Sequence, residues 1–381
     1  MTAPLGFRAT GVAAGLKTTG LLDVALVVND GPSHLGAGVF TANRVKAAPV
    51  LWTQQVVQDG RVDAVVLNSG GANACTGPGG FRDTHATAEW AAMALEVSAT
   101  DVAVCSTGLI GERLPIDRLL AGVDDAVPLL SPAGADDAAR AIMTTDSVPK
   151  QAVVQGAGFT VGGMAKGAGM LAPGLATMLV VLTTDADVEV QVLDRALRTA
   201  TARTFDRVDS DGCLSTNDTV LLLASAASGT RPAEHELAAA VEALCADLAR
   251  QLVDDAEGSS KSIAVTVTRA RSEADALEVA RAVARNNLVK CAVHGEDPNW
   301  GRVLAAVGTT GAAFEPDELA VALNGVWVCR DGTAAEDRSK ADLAGREVSV
   351  LVDLGAGEDE VTVWTNDLTA SYVHENSAYS T

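Results

Sequence analysis

The stretch Lys166–Ala186, KGAGMLAPGLATMLVVLTTDA, joins two kinds of sequence that behave differently in a folded chain. Its first half is broken by glycine and by the pair Pro173-Gly174, which disfavour continuous regular structure. Its second half, from Thr177 to Thr184, is apolar and rich in β-branched residues, and reads as a strand buried on both faces. Such a strand predicts a sheet covered by other layers. One hydroxyl, that of Thr177, stands where the loop becomes the strand. Threonine suits a strand, so structure alone would account for it.

Outward from this stretch, strand-like runs begin near Asp23, Val62, Asp101, Thr219, Ser262, Leu319, Val348 and Val361. Helical periodicity is clearest over Glu234–Asp255, where Leu237, Val241, Leu244, Leu248 and Leu252 fall on one face. Shorter helices are predicted over residues 84–95 and 274–284. The elements are interleaved without regular βαβ alternation, which predicts an α+β protein of layered sheets enclosed by helices. The run VSVLVDLGAGEDEVTVWT predicts a hairpin around Gly355–Asp359. No long linker or internal repeat marks a domain boundary.

Composition narrows the function. The 381 residues are 48% hydrophobic and 20% charged, enough apolar surface for a large core, and the net charge of −21 disfavours nucleic acid and anionic membrane as partners. The opening MTAPLGFRATGVAAG lacks a basic start followed by an apolar segment, and the apolar runs are too short to span a bilayer, so the expected location is the cytoplasm. Six cysteines, spaced by about thirty residues or more and without CxxC, predict reduced and mostly buried thiols. No metal or cofactor is expected. The five histidines include no helical metal pair, and HELAA at His235 lacks the second histidine of a zincin. GxSxG, Walker and GxGxxG motifs are missing as well. A histidine relay assembled only in space stays open.

Two loops follow predicted strands with small and hydroxylated residues: SGGANACTGPGG after Asn68, and STGLIG, which holds Thr107 and Gly108. Tight turns explain either loop alone, but glycine-rich loops also let backbone N–H groups converge on an oxyanion. Thr177 adds a third element. If the bond between Ala176 and Thr177 were cut, the new α-amine, with a pKa of about 7.7 to 8.0, could serve as base for the threonine's own hydroxyl. That arrangement would supply a nucleophile and a base without histidine.

With these residues in place, the chain resembles the ornithine acetyltransferases, also called glutamate N-acetyltransferases, of the arginine pathway. The matching motifs run nearly end to end: GFRATGVAAGLK from Gly6, NSGGANACTG from Asn68, CSTGLIG from Cys105, MTTD from Met143, GGMAKGAGMLAPGLATML from Gly162, STNDT from Ser215, DPNWGR from Asp297 and ENSAYST from Glu375. The resemblance implies self-cleavage into an α chain, residues 1–176, and a β chain, residues 177–381, that remain together as α2β2. It implies a ping-pong transfer of acetyl from N2-acetylornithine to glutamate through Thr177. Thr107 and Gly108 match the oxyanion pair, while Thr144, Lys166, Glu257, Asn376 and Thr381 match substrate-binding positions.

Lys166 could meet a substrate carboxylate and Glu257 an ammonium. Glu257 and its neighbours Asp254 and Asp255 end a long helix, where the macrodipole disfavours negative charge; Asp254 and Asp255 read as a solvated acidic helix end. Asn376 and Thr381 lie in a tail that would otherwise fray. Gly71, Gly174, Leu175 and Cys213 depart from the family's commonest residues. Three alternatives remain at this level: an enzyme that also takes acetyl from acetyl-CoA, a self-processing amidase or aminopeptidase, and a processed relative without acetyl exchange.

Overall fold

The computed structural model describes residues 1–172 and 178–378. They form two compact units, one of Met1–Asp206 and Cys213–Asp255, the other of Arg207–Gly212 and Ala256–Tyr379. Ala176, Thr177 and Thr381 lie outside the described residues. Mixed helices and layered sheets agree with the expected fold class.

The first unit holds nine described strands: β1 (Phe7–Val12), β2 (Val24–Asn29), β3 (Leu35–Phe40), β4 (Ala64–Asn68), β5 (Val102–Ser106), β6 (Lys150–Gln155), β7 (Thr160–Lys166), β8 (Leu179–Thr184) and β9 (Thr219–Ala224). They make one sheet of order β1-β2-β4-β5 and another of order β3-β9-β8-β7-β6. All six residues of β8 are buried, as its sequence predicted. Its alternate side chains serve two cores. Leu179 and Val181 join Met164 of β7 in the apolar layer shared with Val27, Val65 and Leu67 of the other sheet. Gly163, paired with Leu182, faces the other way.

Gly163 makes room for the helix Glu234–Asp254. A Cβ there would come within 2.8 Å of Leu182 and 3.0 Å of Leu248, so the helix lies close only because a side chain is missing. The five periodic residues of that helix are all buried. Each contributes about 1.5–3 kcal/mol of gross hydrophobic stabilisation before entropy is charged against it. Other helices, among them Ala48–Val56 and Gly77–Leu95, cover the first sheet.

In the second unit, β10 (Ser262–Ala270), β11 (Ala320–Leu323), β12 (Val326–Arg330), β13 (Thr333–Ala334), β14 (Glu347–Asp353) and β15 (Asp359–Asn366) form a sheet of order β13-β12-β11-β14-β10-β15. Two expectations change here. β14 and β15 are not a hairpin, because β10 lies between them, parallel to β14 and antiparallel to β15. The run from Leu319 is two strands, folded back at Asn324 and Gly325, whose φ values of 45° and 82° suit a tight hairpin turn. The helix Glu273–Ala284 packs on β10 and β15.

The cysteines are free, as expected, but Cys75, Cys213 and Cys291 are exposed rather than buried. Among the described residues no helix is long and apolar enough to cross a membrane, and no cluster of three metal-ligating side chains occurs.

Candidate active site

Neighbouring parallel strands β4 and β5 end at Asn68 and Ser106, and their loops are tied together immediately beyond. The Thr107 N–H donates to the Asn68 carbonyl at 2.9 Å, and the Gly71 N–H donates to the Thr107 carbonyl at 3.0 Å. Asn217 clamps both loops from a third segment, donating through Nδ2 to the Ala72 carbonyl at 2.6 Å and the Ser106 carbonyl at 2.8 Å.

Gly108 has φ +129°, and a Cβ on it would sit 2.6 Å from the Gly71 nitrogen. Glycine is therefore dictated twice, by its dihedral and by the close approach. The Gly108 N–H makes no hydrogen bond among the described residues. The Thr107 N–H is already engaged, so its hydroxyl is the donor it could still offer a ligand. Lys166 Nζ donates to Thr107 Oγ1 at 3.3 Å, leaving the hydroxyl proton free to point elsewhere. An N–H and a polarised O–H side by side can stabilise a developing oxyanion.

Lys166 ends β7 and is buried. It belongs to a charge cluster centred on Asp146, the last residue of MTTD. Asp146 Oδ1 accepts from Lys150 Nζ at 2.7 Å and from the Gly167 N–H at 2.6 Å, while Oδ2 accepts from the Thr144 N–H at 3.0 Å. Burial alone would raise the pKa of Asp146. Lys166, Lys150 and the hydrogen bonds outweigh burial and hold it at about 2. The ionised carboxylate thus fixes both Thr144 and the backbone following Lys166. The sequence displayed Asp146 within a motif, but only its burial between lysines reveals its role. Asp255 also corrects its reading as a solvated helix end: it accepts from Lys150 Nζ, the Ser147 N–H and the Ser147 hydroxyl.

Asp218, in STNDT, is fully buried where β9 begins. Its Oδ1 accepts the Met178 N–H at 3.1 Å, and its Oδ2 has no hydrogen-bond partner among the described residues. Burial pushes its pKa well above the usual carboxylate range, with the Met178 N–H and the charge of Lys166 pulling the other way.

The remaining described candidates belong to the second unit. Glu257 lies beyond the helix end, half-buried, and accepts from Asn376 Nδ2 at 3.0 Å. The tail is not frayed there, since Ala370–Ala378 is a helix. Gly258 lets it approach, because a Cβ would lie 2.2 Å from the Tyr372 nitrogen. Glu257 lines a cavity of about 150 Å³ with Arg285, Lys290, Asn366, Asp367 and Tyr372. Burial lowers the Lys290 pKa to about 8 despite nearby Asp211 and Asp209. Ser260, His294 and Asp367 also meet, but Nδ1 of the histidine faces both Ser260 and Asp367. A relay needs the two ring nitrogens on different partners, so this cluster is not one.

The loop pair, the buried lysine and the anchored start of β8 are compatible with acyl-transfer chemistry. The ArgJ family matches residues 8–381. A Streptomyces avermitilis relative, the arginine biosynthesis bifunctional protein ArgJ, is 66% identical over 380 residues, covering 100% of this chain and 99% of that protein. Among solved structures, the arginine biosynthesis bifunctional protein from Bacillus halodurans is 32% identical with a TM-score of 0.50, covering 52% of this chain and 97% of that one. The ornithine acetyltransferase from Mycobacterium tuberculosis, crystallised with ornithine, is 62% identical with a TM-score of 0.44, covering 47% of this chain and 95% of that one. The chain belongs to the ArgJ family, the ornithine acetyltransferases of arginine biosynthesis, as its motifs implied.

Proposed function

We propose that Thr177 carries the acetyl group, after the chain cuts itself between Ala176 and Thr177 into residues 1–176 and 177–381, which stay together as α2β2 in the cytoplasm. The Thr177 hydroxyl attacks the acetyl carbonyl of N2-acetylornithine while the Thr177 α-amine takes its proton. That proton passes to the departing ornithine nitrogen as the amide bond breaks, leaving an acetyl ester. The amine of glutamate then attacks the ester, and the hydroxyl is restored.

In this reading Gly108 N–H and Thr107 Oγ1 hold the oxyanion. Lys166 would supply the cation for a substrate carboxylate and Glu257 the carboxylate for an ammonium, and Thr144, Asn376 and Thr381 are substrate-binding positions by family resemblance alone. The observation that carries the reading is the unengaged Gly108 N–H beside the lysine-polarised Thr107 hydroxyl. The cut is supported by proportion: about half of this chain accounts for 97% of the Bacillus halodurans chain.

Thr177→Ala should give a folded, uncut chain without acetyl exchange, seen by intact mass and by acetyl transfer. The wild type, quenched with N2-acetylornithine and no glutamate, should carry one acetyl on the fragment beginning at Thr177. Normal cutting of Thr177→Ala, or exchange by it, would refute the assignment. The word bifunctional in the relatives' names favours a second donor, acetyl-CoA, which free thiol released from acetyl-CoA and glutamate would reveal. Free acetate from acetylornithine without an amine acceptor would instead mark an amidase.

A further inference from the structure

Donor and acceptor in the proposed transfer end differently. The α-amine of N2-acetylornithine is capped by its acetyl group, so its one ammonium is on the side chain, and that is the group Glu257 could receive. Glutamate carries a carboxylate at the corresponding end, which Glu257 would repel. A site that serves both needs a cation in the same cavity.

The second unit supplies one. Lys290, on the helix Asn287–His294, is only 6% exposed and lines the cavity of about 150 Å³ that Glu257 also lines. Its ammonium donates to the Ser210 carbonyl and, at 3.1 Å, to Thr365 Oγ1, which uses two of its three protons. Lys150 and Lys261, also buried, each meet a carboxylate, Asp146 at 2.7 Å and Glu296 at 3.3 Å. Among the described residues no carboxylate lies within 4.0 Å of Lys290. Burial lowers its pKa to about 8, although Asp211, Asp209, Asp367 and Cys291 act from a distance to raise it; Arg285 and Glu257 complete the charged lining, with Tyr372 beside them. A buried cation without a counter-ion favours an anion that enters beside it. A void of this size holds a molecule as large as benzene, enough for the end of a glutamate side chain.

We propose that Lys290 receives the side-chain carboxylate of glutamate, so that one cavity reads donor and acceptor through opposite charges, Glu257 for the ammonium and Lys290 for the carboxylate. The inference rests on the ping-pong reading and on Glu257 serving the donor. Lys290 is then a specificity residue for the second half of the transfer alone.

Glutamine is the probe, because its side chain matches that of glutamate in shape and lacks the charge. On fully cut protein near neutral pH, Lys290→Met should lower the glutamate-to-glutamine ratio of kcat/KM about 10- to 100-fold, the worth of one charged hydrogen bond. Exchange of labelled ornithine into N2-acetylornithine, which involves no glutamate, should not slow. An unchanged ratio, or exchange impaired as strongly as transfer to glutamate, would overturn the assignment. Should Lys290→Met fail to fold, the pH dependence of the wild-type ratio decides. Amine and ester chemistry common to both acceptors cancel, so the ratio should hold below about pH 8 and fall towards tenfold per unit above it, as Lys290 loses its proton. A ratio that stays constant across that pH refutes the assignment. Absence of ornithine exchange in the wild type would instead sink the ping-pong reading, and this inference with it.

Discussion

Replacing Gly108 with alanine tests the oxyanion site directly. A Cβ there would lie 2.6 Å from the Gly71 nitrogen and 2.9 Å from the Gly70 carbonyl carbon, both backbone atoms that no rotamer change can move aside. Ordinary contact begins near 3.4 Å, so the two loops must part by most of an ångström. A misplacement of about 1 Å costs about 10²-fold in rate, and loss of one oxyanion donor about 10²- to 10³-fold. These describe one event, so kcat should fall by roughly 10²- to 10³-fold, equivalent to about 2.7–4 kcal/mol, with little change in KM. Gly111→Ala is the control. Gly111 also has positive φ, +93°, but nothing lies within 4 Å of its Cβ position, so it should lose stability and keep its kcat. Acetyl transfer to glutamate would be measured on purified, fully cut protein, with cutting verified by mass. Equal kcat in the two variants would refute the assignment of Gly108.

Lys150→Met should destabilise the first unit by about 3–5 kcal/mol at neutral pH by stranding buried carboxylates, as read by urea unfolding. Asp146, lowered from 3.8 to about 2, contributes about 2 kcal/mol that is present above pH 4 and lost as pH falls to 2; the variant should show a shallower loss over that window, and an equal slope would contradict the cluster. Glu257→Gln should raise the KM for N2-acetylornithine about 10- to 100-fold, the worth of a charged hydrogen bond, while leaving self-cleavage intact. Equal damage to both steps would make Glu257 structural.

Local pattern made some of this legible. Five apolar residues at helical spacing located the helix Glu234–Asp254 to within one residue, and the apolar run of β8 located a strand buried on both faces. Pairing was less accessible. The segments either side of Gly355 looked like hairpin partners because they are neighbours in sequence, yet β10, far upstream, takes the place between them. β7 was hidden by Gly162 and Gly163, which weaken a strand pattern; Gly163 makes sense only beside Leu248 of another element. The site followed the same division. Thr107, Gly108 and Lys166 stood out by residue type and motif. Asp146 and Asp218 were equally visible as letters, but their behaviour depends on burial, on surrounding lysines and on an oxygen without a partner.

The sheet β3-β9-β8-β7-β6 has a consequence for how the molecule is made. A cut ahead of β8 would assign β3, β6 and β7 to one fragment and β8 and β9 to the other. The second fragment's strands would be the middle planks, held by six residue pairs along β7 and six along β3. Each fragment alone would expose strand edges that native proteins avoid leaving bare. Dilution would not part the fragments, and exchanging them between molecules would require unfolding the unit. If the chain is cut there, the fold would form while the backbone is still continuous, and a molecule unfolded after the cut would have lost the connection that first set its strands in order.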